Sequence, residues 1–172
     1  MKRTIALAVA ASFAAACASM GTGGAASAVA NLEPTKGYSA RGTVSFTQHG
    51  DALRVIAHLS GLRPDAEHGF HVHEKGDCSA PDATSAGGHY NPGGHAHGPQ
   101  SALHHAGDLP NIRADSYGNV DATFEVKGLS VGTGPADIVG RGLVLHRDPD
   151  DYRSQPAGNS GPRIACGVIR TS

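Results

Sequence analysis

Between residues 42 and 60 apolar and polar side chains alternate almost without interruption. Val44 and Phe46 alternate with Thr43, Ser45 and Thr47, and Leu53, Val55, Ala57 and Leu59 alternate with Arg54, Ile56, His58 and Ser60. A period of two belongs to a half-buried strand, so strands are predicted over residues 42–47 and 53–59, with Gly50-Asp51 as the hairpin turn. A short strand at 28–33 precedes them. The alternation returns at 119–127, where Val120, Ala122, Phe124 and Val126 share the inward face. It recurs at 138–146, with Leu143 and Leu145 opposite Val144 and His146, and at 164–170. In the stretch 69–74, Phe70 and Val72 point one way and His71 and His73 the other. Two stretches carry no period, 75–111 and 147–163, and ordered loops of that length inside a compact domain normally have a function. About eight short strands with turn signals predict an all-β, antiparallel sandwich or barrel.

A length of 172 residues suits one domain. The 24 glycines, the 10 prolines and the absence of Trp favour short strands and turns over a helix bundle. A formal net charge of -1 argues against a nucleic-acid-binding surface. At the start, Lys2 and Arg3 precede an apolar run over residues 5–16 and then small residues, the layout of an export signal and too short for an ordinary membrane span. Removing residues 1–16 leaves 12 basic side chains against 15 acidic, a net of -3. Ala15-Ala16-Cys17 resembles a bacterial lipoprotein junction in which Cys17 becomes the lipidated first residue, with Ala14 where a large aliphatic residue is usual. Simple secretion, with cleavage after Ala16 or slightly beyond, is the alternative. Residues 17–27, rich in Gly and Ala, read as a flexible tether to a domain over 28–172.

Histidine adds the chemistry. Eight of the eleven histidines fall within residues 68–108, broken up by Gly and Pro: His68, His71, His73, His89, His95, His97, His104 and His105. His71 and His73 put two imidazoles on one strand face with Phe70 and Val72 as anchors behind. Neutral imidazole suits copper, zinc, iron or nickel, and no oxygen-rich loop for calcium or magnesium is present. His49 and His58 read as solvent-facing strand residues. With Cys17 assigned to the signal junction, Cys78 and Cys166 remain as a pair, in a compartment where a disulfide persists. The alternative, soft metal ligation, is weaker because neither has a second cysteine nearby.

Five segments in order resemble the copper/zinc superoxide dismutase family in its bacterial, exported form. They are Gly69-Phe70-His71-Val72-His73-Glu74, Gly87-Gly88-His89-Tyr90-Asn91-Pro92, His105-Ala106-Gly107-Asp108-Leu109, Gly140-Arg141-Gly142-Leu143-Val144-Leu145-His146, and the run from Gly158 through Arg163 and Cys166 to Ile169. The resemblance implies an eight-stranded Greek-key sandwich or barrel with two long functional loops. It also implies an enzyme, a superoxide dismutase (Cu-Zn), that disproportionates superoxide to dioxygen and hydrogen peroxide with copper and zinc as cofactors.

Carried over by position, His71, His73, His89 and His146 match the copper ligands. His89, His97, His105 and Asp108 match the zinc ligands, so His89 bridges the two metals. His97 is preferred to His95 because the family places this ligand eight residues after the bridge, and His105 to His104 because a histidine stands three residues before the aspartate. Asp150 matches a carboxylate that accepts hydrogen bonds from one ligand of each metal, against the alternative of a solvated acidic loop shared with Asp148 and Asp151. Arg163 matches the arginine beside copper that orients the anion, His89 doubles as a proton donor, and Cys78 and Cys166 match the family's disulfide. The expected location is periplasm or cell envelope, lipid-anchored or free, and otherwise secreted. Partner expectations are superoxide as substrate, no nucleic acid, a lipid anchor if Cys17 is modified, and either a homodimer or a monomer.

Overall fold

The computed structural model describes residues 24–172. The export signal over residues 1–16, Cys17 and the tether as far as residue 23 lie outside the described residues.

The strands are β1 (Ser27–Pro34), β2 (Arg41–His49), β3 (Ala52–Ser60), β4 (Glu67–His68), β5 (Phe70–His73), β6 (Ile112–Arg113), β7 (Val120–Lys127), β8 (Gly142–His146), β9 (Arg163–Val168) and β10 (Arg170–Thr171). One 3-10 turn spans Thr84–Ala86. The main sheet is eight-stranded, in the order β5-β8-β9-β1-β2-β3-β7, with β10 also on β1, and every pairing is antiparallel. β1 belongs to both halves of this half-barrel: residues 27–32 pair with β2, whereas Glu33 and Pro34 pair with β9. The β4-β6 pair forms a separate two-stranded sheet.

The core lies inside the curve of the sheet. Phe46, Leu53, Phe70, Leu109, Ile138, Leu143 and Leu145 are among its fully buried side chains. β2 and β3 show the expected alternation, their polar positions facing outward. In β5 and β8 every residue is buried. One face of each packs in the core, and the opposite face lies under the two long loops, which is why the histidines on it are out of water.

Two boundaries differ from the alternation. The strand expected over 138–146 begins at Gly142, because Ile138 is a buried turn residue whose carbonyl accepts the N–H of Arg141. The last strand breaks at Ile169, which exchanges hydrogen bonds with Gly140 and Arg141, and the chain then pairs with β1. Burial alone gives a turn residue the same apolar signature as a strand residue.

Candidate metal centre

β5 is an edge strand, paired with β8 on one side only. Its other edge takes up two segments of the long loop. Tyr90 N–H donates to Val72 O (2.8 Å) and Glu74 N–H to Gly88 O (2.9 Å), while Val72 N–H donates to Gly107 O (2.9 Å) and Leu109 N–H to Phe70 O (3.2 Å). This main-chain ladder places His89 beside His73 and Asp108 beside His71. Backbone groups that an edge strand would otherwise leave open thus assemble the site.

Two groups of donors result. His71, His73, His89 and His146 each offer one ligand atom within 4.8 Å of the others, and so do His89, His97, His105 and Asp108. All seven side chains are buried. In the first group the ring nitrogens without a partner are His71 Nδ1, His73 Nε2, His89 Nε2 and His146 Nε2. The opposite nitrogens are engaged: His73 Nδ1 with Gly87 O at 2.9 Å, His146 Nδ1 with Gly161 O at 3.2 Å, and His71 Nε2 with Asp150 Oδ2 at 2.8 Å. A carbonyl oxygen only accepts, so His73 and His146 carry their proton on Nδ1 and turn the Nε2 lone pair inward. A buried polar atom left unsatisfied costs about 1–3 kcal/mol, and four of them in one place fit a metal that prefers imidazole.

The second group closes around Asp108. Its Oδ1 lies 2.7 Å from His89 Nδ1 and 3.2 Å from His105 Nδ1, and its Oδ2 lies 3.0 Å from His97 Nδ1. Three imidazoles and one carboxylate are the borderline-soft, four-donor set that zinc takes. The backbone N–H groups of His105 and Gly98 also donate to Asp108 Oδ2, at 3.0 and 3.2 Å. His89 belongs to both groups.

Asp150 ties the groups together. Its Oδ2 meets His71 Nε2 and its Oδ1 meets His97 Nε2, both at 2.8 Å, and it is buried, unlike Asp151 on the exposed side of the same loop. Oδ1 also accepts the N–H of Tyr152 at 2.6 Å. Asn111 fixes the Asp150 backbone, its Oδ1 accepting that N–H and its Nδ2 donating to that carbonyl, each at 2.9 Å. Gly158, with φ +64°, is required here because a Cβ would overlap the Asp150 carboxylate.

Electrostatics favour the neutral form of His71, His73 and His146. Burial pushes His71 and His73 well below the usual histidine range, and repulsion from His89 and His146 adds to it. Burial likewise pushes His146 down to about 4. Burial alone would raise Asp108, but the His89 hydrogen bond and the attraction of His89, His97 and His105 outweigh it and hold the carboxyl below its ordinary value.

Arg163 opens β9 and reaches back over the 75–111 loop. Its Nη1 donates to Ala83 O at 2.6 Å and its Nη2 to Gly87 O at 2.7 Å. Gly87 O is also the acceptor for His73, so a single carbonyl holds both the guanidinium and an imidazole of the first group. Ala83 sits in the left-handed region at φ 57°, which turns its carbonyl toward the arginine. The disulfide Cys78–Cys166 ties this loop to β9, with Ala83, Ala86 and Val144 packed around it. Arg163 also lines a cavity of about 300 Å³ with Thr35, Lys36 and Thr84.

The other histidines stay outside. His95 is exposed, with its N–H on Asn91 Oδ1, and His104 Nδ1 turns to Ala102 O. His68 is buried and structural, with Nδ1 on the His146 carbonyl at 2.9 Å. His49 and His58 are exposed and pair with Glu125 and Asp121. The sequence reading missed Asn111, Tyr152 and the Gly87 and Ala83 carbonyls. Main-chain acceptors leave no signature in residue type, and Asn111 three residues beyond Asp108 had only its position to recommend it.

A family model described as copper/zinc superoxide dismutase matches residues 40–169. The chain belongs to the copper/zinc superoxide dismutase family. It is 42% identical over 136 residues to superoxide dismutase (Cu-Zn) 2 of Aquifex aeolicus, covering 75% of this chain and 78% of that relative. To superoxide dismutase (Cu-Zn) of Paramecium bursaria Chlorella virus 1 it is 42% identical over 151 residues, covering 83% and 77%. Among solved structures it resembles the clock protein EA4, with a TM-score of 0.78 at 38% identity, covering 86% of this chain and 96% of that one. It also resembles a double mutant of a SOD-like protein from Bacillus subtilis, with a TM-score of 0.76 at 38% identity, covering 83% and 96%. The Cys78–Cys166 disulfide and the two donor groups sit within the span that matches the copper/zinc superoxide dismutase family.

Proposed function

We propose that this chain is a superoxide dismutase working outside the cytoplasm at a His89-bridged copper/zinc centre. The observation that carries the reading is the position of His89: it stands in both four-donor groups, with Nδ1 in the Asp108 group and an unpartnered Nε2 toward His71, His73 and His146. His71, His73, His89 and His146 would hold copper through the ring nitrogens left without a partner, and His89, His97, His105 and Asp108 would hold zinc. Bound copper supplies a one-electron cycle, so that two superoxide ions and two protons become dioxygen and hydrogen peroxide.

The side chains do the rest. His89 Nε2 would be open to a proton only while it is not bound to copper, and its Nδ1 would stay engaged with the Asp108 group throughout. Asp150 holds His71 and His97 in fixed orientation, each by its Nε2. Arg163 offers a partly buried guanidinium, held by two carbonyls, to a small anion. Burial lowers its pKa only from a high starting value, and an arginine side chain stays cationic around neutral pH.

The export reading is supported by the residue pattern of 1–16 and by the disulfide, since a disulfide persists in an oxidising compartment. The proposed site of action is the periplasm or cell envelope, with lipidation of Cys17 anchoring the chain there if the junction is cut before it. The experiment is metal analysis of the chain loaded with copper and zinc. One of each per chain is expected, with Asp108→Ala losing zinc and keeping copper. Equal loss of both metals, or retention of both, would overturn the assignment of two separate groups joined at His89.

A further inference from the structure

His97 is held differently from the other donors. His71, His73 and His146 lie on strands, and His89 and Asp108 are carried on the β5 edge ladder. The backbone N–H and C=O of His97 have no main-chain partner among the described residues, and the residues leading to it, Pro92 to Ala96, are exposed. One side chain satisfies both groups. Gln155 Oε1 accepts the His97 N–H at 2.9 Å, and Gln155 Nε2 donates to the His97 carbonyl at 2.9 Å. This is the pairing a neighbouring strand would provide, made instead by an amide from the 147–162 loop. The imidazole of His97 is gripped by Asp150 of the same loop, so ring and peptide are fixed from one side.

Gln155 faces a second place as well. It lines an open cavity of about 160 Å³ together with His146, Asn159 and Ser160. The loop around Gln155 is internally braced by Asp151, which accepts the N–H groups of Arg153 and Ser154 and the Asn159 amide. Gln155 Nε2 also donates to Arg153 O at 3.2 Å, which ties the residue that holds His97 to this braced loop.

We propose that Gln155 is a positioning residue that sets His97 for zinc and couples zinc binding to the order of the cavity wall beside His146. The inference rests on the zinc assignment above. Outer-shell partners of metal ligands typically change affinity by 10–100-fold when removed. The amide is specific in this role because it presents one acceptor and one donor in the register of a peptide, whereas a carboxylate presents two acceptors and opposes the His97 carbonyl.

The test compares Gln155→Ala and Gln155→Glu with the unaltered chain, all bearing copper. Zinc affinity is read by competition with a chelator, and the geometry of the site by the visible spectrum of cobalt put in place of zinc. Hydrogen exchange over residues 147–162 is followed with and without zinc. About tenfold or more weaker zinc binding is expected in both variants, with an altered cobalt spectrum and loss of the zinc-dependent slowing of exchange. Gln155→Glu keeps the side-chain volume and carries the test if the alanine variant does not fold. Wild-type zinc affinity and an unchanged cobalt spectrum in a folded variant would overturn the proposal. Failure of the unaltered chain to take zinc would remove the zinc assignment itself, and the role of Gln155 with it.

Discussion

Acid should destabilise the metal-free protein well before its carboxylates are titrated. His146 is almost wholly buried, and burial pushes its pKa from 6.5 down to about 4. Because the folded value lies below the unfolded one, the unfolded chain takes up the proton first as pH falls. The stability this histidine provides is complete above about pH 6.5 and is lost progressively down to about pH 4. At about 1.4 kcal/mol per pKa unit, the full loss is about 3 kcal/mol, of which about 2 kcal/mol falls between pH 7 and pH 4.5. His71 and His73 are shifted in the same direction by the same cause and add to it. Urea unfolding of the metal-free protein at the two pH values is the assay. With a slope of about 1–3 kcal/mol per molar urea, the midpoint should fall by about 1 M or more. In His146→Asn the difference between the two pH values should shrink by about 2 kcal/mol, whatever the variant's absolute stability. A midpoint that does not move between pH 7 and pH 4.5, or a variant with the same pH difference as the parent, would refute the claim that these rings are buried neutral.

Two further outcomes follow from the geometry. Arg163→Ala should keep both metals and lose about tenfold or more in kcat/KM, since a hydrogen bond to a charged group is worth about 1.5–3 kcal/mol; full activity in that variant would remove Arg163 from the account. Cys166→Ser opens a loop of 88 residues, worth up to about 4–5 kcal/mol in the chain-entropy model. An unfolding midpoint unchanged in that variant under oxidising conditions would count against the disulfide as a source of stability.

How much of this was legible in the residues differs from one part to another. The alternation of Val44 and Phe46 with Thr43 and Ser45 located β2 because one face of that strand is wet. β8 was located less exactly, because both of its faces are buried and Ile138, a turn residue, reads like a strand residue. The seven donors were found through a family resemblance, and two of them required a choice between neighbouring histidines. His97 and His105 are buried in the Asp108 group while His95 is exposed and His104 turns to a carbonyl of its own loop, a distinction made by loop conformation and not by residue type. Asp150 could be assigned by position, but what holds it could not. Asn111 acts through the Asp150 main chain, Gln155 through that of His97, and the arginine clamp through two carbonyls; such contacts arise where separate loops meet.

The decay rate of superoxide added to the chain, loaded with copper and zinc and freed of loose metal, tests the central claim most directly. Catalytic decay approaching the diffusional ceiling of about 10⁸–10⁹ M⁻¹s⁻¹ is the expected result. Decay no faster than that of the metal-free chain, with both metals shown to be bound, would contradict it and would mean that these ligands hold metal without turning superoxide over.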